Sequence, residues 1–430
     1  MFKQLTRALK YKNYRLFFAG QCISLIGTWL TNVATTWLVY RLTKEQHLPD
    51  PAAILGMVTF AGQIPMFLVS PVSGVLVDRW SCHRVLVATQ TMALLQSAVL
   101  AVLALGKTIT IPQLLLLNIF QGLINAFDVP ARQSFVVEII EDREDLPNAI
   151  ALNSSMFNGA RLVGPAVAGA LIAGFGEGIC FAIDAVSYGA VILALLAMTI
   201  MPRQRNLEPR NVRAELKRGF KYVLGFAPIR AELIAVGMLS FFGIGSSVLY
   251  PIIADRFSTE SHGAQIFGWL TASSGVGALI GSLYLATRKS VVGLGRVIVL
   301  SAALSGAGLL LLAYSADLWV AMLAMLCNGF GIIAMLASCN TLMQTIVEDD
   351  MRGRVMSFFG MAVMGTAPIG SLAIGWFASR HGENLTIGIA GAGCVFAGLY
   401  FAMKLPELRE ILRPIYMKKG IIAAPDMPEN

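Results

Sequence analysis

The sequence predicts an all-α polytopic membrane protein, with twelve transmembrane helices in two pseudo-symmetric six-helix bundles. Of its 430 residues, 56% are hydrophobic and 13% charged, whereas a soluble domain carries about 25% charge. Apolar runs recur from end to end, each near the roughly 20 residues that cross a hydrocarbon core. An internal repeat adds the division into halves: Gln121-Gly122 and Ile139-Ile140-Glu141-Asp142 return 207 residues later as Asn328-Gly329 and Ile346-Val347-Glu348-Asp349. Parallel repeats of this kind are related by an axis along the membrane normal.

Taken in order, the chain begins MFKQLTRALKYKNYR, basic and without a small-residue cleavage pattern, so the first apolar run reads as a retained span. Span one is expected near 16–40, with Trp29, Asn32 and Thr36 on one face. Span two, near 53–77, ends in a charged turn, and span three follows near 85–105. Span four, near 111–129, sets Asn118, Gln121, Asn125, Asp128 and Arg132 at steps of three and four, a single polar face. Span five, near 149–173, aligns Ser154, Asn158, Arg161 and Pro165, and span six, near 179–201, holds Asp184. A basic stretch containing Arg203, Arg205, Arg210, Arg213, Lys217, Arg218 and Lys221 then puts Val212, Leu216, Phe220 and Val223 on one helical face. An amphipathic linker helix on the inner leaflet is expected there. Spans seven to twelve fall near 231–254, 265–287, 297–314, 318–342, 355–378 and 385–403. The expected units are therefore an N-terminal bundle (1–201), a linker (202–228), a C-terminal bundle (229–404) and a tail (405–430).

With the N-terminus inside, 27 of the 33 Lys and Arg residues fall in cytoplasmic segments; Arg41, Lys44, Lys107, Arg256 and Arg380 lie opposite and Arg161 lies within a span. The positive-inside rule places both termini in the cytoplasm, and it accounts for the net charge of +8 without a nucleic-acid partner. The six cysteines and four histidines show no metal or disulfide spacing, so neither metal nor cofactor is expected. No Walker-type loop is present, and no catalytic pair sits within the spans, which argues against an intramembrane enzyme.

The turn after span two reads Gly74-Val-Leu76-Val-Asp78-Arg79-Trp80-Ser81-Cys82-His83-Arg84. It resembles the signature loop of the major facilitator superfamily, with Ser81, Cys82 and His83 where a glycine and two bases are usual. The resemblance implies the major facilitator fold and a breakable cytoplasmic latch formed by Gly74, Asp78, Arg79, Arg84 and Arg132. Gly159-Ala-Arg161-Leu-Val-Gly164-Pro165-Ala-Val-Ala168-Gly169 is similar to the family's antiporter motif. It implies that Gly164, Pro165 and Gly169, with Pro368 in the second repeat, let helices bend or seal. Asn13-Tyr14-Arg15-Leu16-Phe17-Phe18, Gly27-Thr28-Trp29, Phe127-Asp128-Val-Pro130-Ala131-Arg132-Gln133 and Asn148-Ala149-Ile150-Ala151-Leu152-Asn153 resemble the bacterial branch of enterobactin-exporter-like proteins.

That branch implies a monomeric inner-membrane exporter of siderophores or drug-like amphipaths, exchanged for protons by alternating access. A lipid or lysolipid translocator of the same fold is the alternative. Where the family has Arg-x-x-Gln-Gly in span four, this chain has Asn118-Ile-Phe-Gln121-Gly122. Arg161 is therefore the expected substitute in coupling, with Asp128 or Asp184 as the acid, since ionisable groups in spans are functional candidates. The repeat aligns Asn125, Asp128 and Arg132 with Ile332, Met335 and Cys339. The substrate cavity is thus expected to be polar on the N-terminal side (Trp29, Asn32, Thr36, Asn118, Gln121, Asn125, Asn158) and soft opposite (Met335, Phe358, Phe359, Met361).

Overall fold

The computed structural model describes residues 7–199, 212–258, 262–288 and 290–421. Arg203, Arg205 and Arg210 of the basic stretch, and the side chains of Asp78, Val212, Arg213 and Leu216, lie outside the described residues. Twelve described helices are long and apolar enough to cross a membrane. Spans one to six are Lys12–Glu45, Pro51–Arg79, Cys82–Leu105, Ile111–Ile139, Leu146–Phe175 and Glu177–Leu196. Span seven runs Ala227–Arg256, and spans eight to twelve are Gly263–Ala286, Leu294–Tyr314, Leu318–Ile346, Asp349–His381 and Glu383–Lys418.

The ends of these helices follow local chemistry. Span four starts at a capping box, with Thr110 and Gln113 satisfying each other's backbone donors. Asp317 opens span ten by accepting from the backbone N–H of Trp319 at 2.9 Å and of Val320 at 3.2 Å. Spans five and eleven both end at a left-handed glycine, Gly176 with φ +80° and Gly382 with φ +84°. No side chain is tolerated easily in that conformation, so the two repeats share the joint as well as the sequence pattern.

Two elements depart from the expected pattern. Span seven is not one regular helix: an α-helical start, Ala227–Leu239, gives way to a π turn, Ser240–Ile244, a 3₁₀ turn, Gly245–Leu249, and a last α segment, Tyr250–Arg256. Pro251 supplies no N–H and two glycines lower the cost of unwinding. Span twelve continues past the expected boundary at 403 as far as Lys418, because Leu408 and Leu412 are buried and extend its packing face. The linker forms a helix over Val212–Gly225, whose Phe220 lies 6.2 Å, ring to ring, from Phe358 of span eleven.

In the N-terminal half, span four packs on spans two and three, and span six on spans one and three. The C-terminal half repeats the scheme with span ten on eight and nine, and span twelve on nine. The halves meet along two seams, span five with span eight and span two with span eleven. With an even number of spans, both described chain ends lie at one end of the bundle, called here the terminal end.

At that end a strap holds the N-terminus to the start of span five. Asp145, buried, pairs with Arg7 at 2.8 Å and Lys10 at 2.6 Å and accepts from the Tyr11 hydroxyl at 2.9 Å. The backbone N–H of Ala8 donates to Asn148 Oδ1 at 3.0 Å, and the Tyr14 hydroxyl donates to Ala149 O at 2.9 Å. The hydrogen bond to Asp145 holds the Lys10 ammonium above the ordinary lysine value. The branch motifs at Asn13–Phe18 and Asn148–Asn153 are in large part this strap. Asp145→Ala is expected to release it, seen as faster cleavage before Lys12 in limited proteolysis of everted vesicles; cleavage at the wild-type rate would remove the strap's role.

Candidate functional site

A cavity of about 500 Å³ lies between the halves. Trp29, Asn32 and Thr36 of span one, Asn118, Gln121 and Asn125 of span four and Arg161 of span five line its N-terminal side. Their amides are only partly used within the protein. Asn118 donates to its own helix at Leu114 O, 2.8 Å away, and Gln121 Nε2 donates to Asn125 Oδ1 at 3.2 Å, while Gln121 Oε1 has no partner. Polar side chains within a span belong against a bundle interior or a watery cavity, and this face lines the cavity. The opposite wall is softer, with Ile244, Val248, Phe267, Ile332, Ile333 and Leu336 beside Ser247, Tyr250, Thr271 and Asn328.

Several expected cavity residues sit elsewhere. Met335 is fully buried in the core, because span ten turns Ile332, Ile333 and Leu336 toward the cavity instead. Phe358 packs toward the linker helix, Phe359 packs against the core, and Met361, 37% exposed, does not line the cavity. Asn158 is half-buried and also outside the lining. Cysteines placed singly at Asn118, Gln121 and Asn125 are expected to react with a water-soluble maleimide, and one at Met335 to resist it. No labelling at any span-four position in either transport direction would make the stripe interhelical glue.

The two acids expected as coupling candidates, Asp128 and Asp184, have opposite surroundings. Asp128 turns from the cavity toward span three: Thr89 Oγ1 and Gln90 Nε2 each donate to its Oδ1 at 2.8 Å, and Arg132 pairs with its other oxygen. Arg132 also donates to Gln21 Oε1 at 3.3 Å. Asp184, 1% exposed, forms no ion pair with a described residue. It accepts from the Thr31 hydroxyl at 2.7 Å and the Ser97 hydroxyl at 2.9 Å, with Ser187 Oγ at 3.5 Å. Thus a salt bridge compensates one buried carboxyl, and only neutral hydroxyls surround the other. Span one separates Asp184 from the cavity, with Thr31 on the acid and Asn32 and Thr36 on the cavity side.

The seams are shut at one end and open at the other. Gly164 faces the Trp29 side chain, and one turn further the backbones of spans five and eight nearly touch. A Cβ on Gly268 would lie 2.6 Å from Pro165 O and 2.8 Å from Gly169 Cα. On the second seam, a Cβ on Gly56 of span two would lie 2.6 Å from Ser371 O; Pro368 is buried three residues before it in span eleven. Above these contacts Lys44 pairs with Asp255 at 2.7 Å, Tyr40 donates to the same carboxylate at 2.9 Å, and Trp37 stacks on Phe267 with centroids 6.1 Å apart. At the terminal end a Cβ on Gly74 or Gly159 would meet nothing within 4 Å, and Arg79 and Arg84 are exposed. Of the described side chains of the expected latch, Arg79 and Arg84 are exposed and Arg132 is engaged within its own half by Asp128 and Gln21.

Sequence reasoning missed three features. Thr31 and Ser97, which hold Asp184, lie on different helices with no spacing signal. The Lys44–Asp255 seal joins residues more than 200 positions apart. Glu232, fully buried with neither carboxylate oxygen partnered by a described residue, lies on another cavity of about 260 Å³ in the C-terminal half. An acid just inside a predicted span, here one residue past the expected start at 231, was the available signal.

The model of one family, described as Transmembrane secretion effector, matches residues 6–419. The staphyloferrin A transporter of Staphylococcus aureus is 24% identical over 92% of this chain and 97% of its own length. The multidrug efflux pump Tap of Mycolicibacterium fortuitum is 24% identical over 90% and 93%, and macrolide efflux protein A of Streptococcus pyogenes is 24% identical over 94% and 99%. Among solved structures, a D-xylose-proton symporter aligns with a TM-score of 0.73 at 14% identity, covering 91% of this chain and 97% of that one. A bacterial homologue of the lysosomal transporter Spinster, inward-facing and unoccupied, aligns at 0.70 and 13%, covering 91% and 96%.

Proposed function

We propose that this chain, which belongs to the Transmembrane secretion effector family of major facilitator transporters, is a proton-coupled exporter of a small amphipathic molecule. It is a transporter rather than an enzyme; proton coupling, export direction, a monomeric state and an inner-membrane location with both termini cytoplasmic are the proposal. Relatives named as siderophore, multidrug and macrolide carriers support the substrate range. The excess of basic residues at the terminal end supports its assignment to the cytoplasm, which makes the present state inward-open, ready to load.

The observation that carries the reading is span one, placed between two polar sites. Its Asn32 and Thr36 face the cavity, and its Thr31 binds Asp184 on the far side. A proton arriving at Asp184 changes what Thr31 and Ser97 donate to, and the helix transmits that change to the cavity wall. Alternating access then follows from rocking the halves about the site, with the Lys44–Asp255 pair breaking as the terminal-end latch of Asp78, Arg79 and Arg84 closes. The lipid-translocator alternative draws less support, because close backbone contacts shut both lateral seams in the outer half.

The test is transport in energised everted vesicles. Labelled siderophore, macrolide and dye probes are offered from the cytoplasmic face, and accumulation of at least one that an uncoupler abolishes is expected. Accumulation unaffected by the uncoupler would remove proton coupling, and accumulation of none would remove export.

A further inference from the structure

We propose that Arg161 is the receptor for an anionic group and that the exported compound is therefore an organic anion, with carboxylate the best-fitting head. This deepens the exporter reading and rests on the central cavity being the transport site. Arg161 is the one charged side chain among the described residues lining that cavity, and no carboxylate accompanies it. It forms no ion pair with any described residue. The backbone that carries the charge is firmly placed, because span five is packed so closely on span eight that a Cβ on Gly275 would lie 2.9 Å from Arg161 O.

A guanidinium held between two membrane bundles without a counter-ion carries a desolvation cost. Its planar fork of donors matches a carboxylate or another oxyanion with two oxygens side by side. In the same cavity lining, Asn32 and Asn125 of the N-terminal half and Tyr250 of the C-terminal half offer further neutral hydrogen-bonding groups. Across the cavity Phe267, Ile332 and Leu336 provide an apolar wall for the body of the molecule. About 500 Å³ suits a drug-sized solute. A cationic solute would meet a like charge with no acid to offset it, so the cavity selects by charge sign and then by an apolar body.

The experiment uses the purified full-length chain in detergent and three matched probes: naphthoate, its methyl ester and naphthylmethylamine. Naphthoate is expected to bind at least about tenfold more tightly than either analogue. Arg161→Gln should erase that preference, while Arg161→Lys should keep part of it. As a second reading, modification of Arg161 by phenylglyoxal, followed by mass spectrometry in native membranes, should be slowed by naphthoate and not by the ester. Failure of naphthoate to outbind both analogues, or an Arg161→Gln variant that keeps the wild-type preference, overturns the proposal. The exporter reading fails differently: everted vesicles would then accumulate no probe of any charge, whatever residue stands at 161.

Discussion

Asp184→Asn is expected to lower proton-driven export by at least about tenfold and to leave a residual flux that no longer responds to an uncoupler. The amide is isosteric and can still accept from the Thr31 and Ser97 hydroxyls, which lie 2.7 and 2.9 Å from the native carboxylate, so the fold should survive. What it cannot do is exchange a proton. Asp128→Asn is the matched contrast. It breaks a buried ion pair with Arg132, a type of loss that costs about 3–5 kcal/mol, so its signature is poor folded yield with coupling intact in the protein that remains. Asp184→Glu should restore part of the coupling, because it returns the titratable group. Equal uncoupler sensitivity in wild type and Asp184→Asn would remove Asp184 from the mechanism.

Gly268→Val is expected to disable transport without unfolding the protein. The added Cβ alone would lie 2.6 Å from Pro165 O and 2.8 Å from Gly169 Cα. These are backbone atoms that cannot swing aside. Overpacking of this kind costs about 1–3 kcal/mol, and the cost falls on the state in which spans five and eight touch. An equilibrium shift of about 5-fold to 150-fold away from the inward-open state follows. The measurable result is a cysteine at Phe267 that gains reactivity toward an impermeant thiol reagent from outside intact cells, together with a loss of export. Gly174→Val, where a Cβ meets nothing within 4 Å, should behave as wild type. Unchanged labelling and export in Gly268→Val would mean that this seam does not govern access.

The large-scale architecture was legible because the bilayer imposes it. Backbone groups in hydrocarbon must be satisfied within each helix, so every apolar run had one available structure and span existence followed directly. Unwinding in span seven was not legible, since Gly243, Gly245 and Pro251 permit a π turn without demanding one; close approach of span eleven at Gly370 decides it. Span twelve outran its apolar stretch for a similar reason, as the burial of Leu408 and Leu412 is set by neighbours and not by local hydropathy.

Within the site, helical periodicity found the cavity face of span four at Asn118, Gln121 and Asn125 but carried it one turn too far. Asp128 shares that face on an ideal helix, yet hydrogen bonds from Thr89 and Gln90 hold it toward span three. The internal repeat indicated that the C-terminal copy would be apolar, and of the residues it aligned Ile332 lines the cavity, with Ile333 and Leu336 beside it, while Met335 does not. Asp184 and Asp128 looked equivalent as sequence, because the Thr31 and Ser97 hydroxyls on one and the Thr89 and Gln90 donors on the other come from helices distant in the chain, although Arg132, one turn beyond Asp128 on the same helix, was visible.

The central claim is that the Asp184 carboxyl takes up and releases a proton, and infrared difference spectroscopy on purified protein tests it without knowledge of the substrate. A pH titration should give a carbonyl band of protonated carboxyl that appears and disappears reversibly, is lost in Asp184→Asn and persists in Asp128→Asn. A titration spectrum of Asp184→Asn identical to that of the wild type would contradict the account.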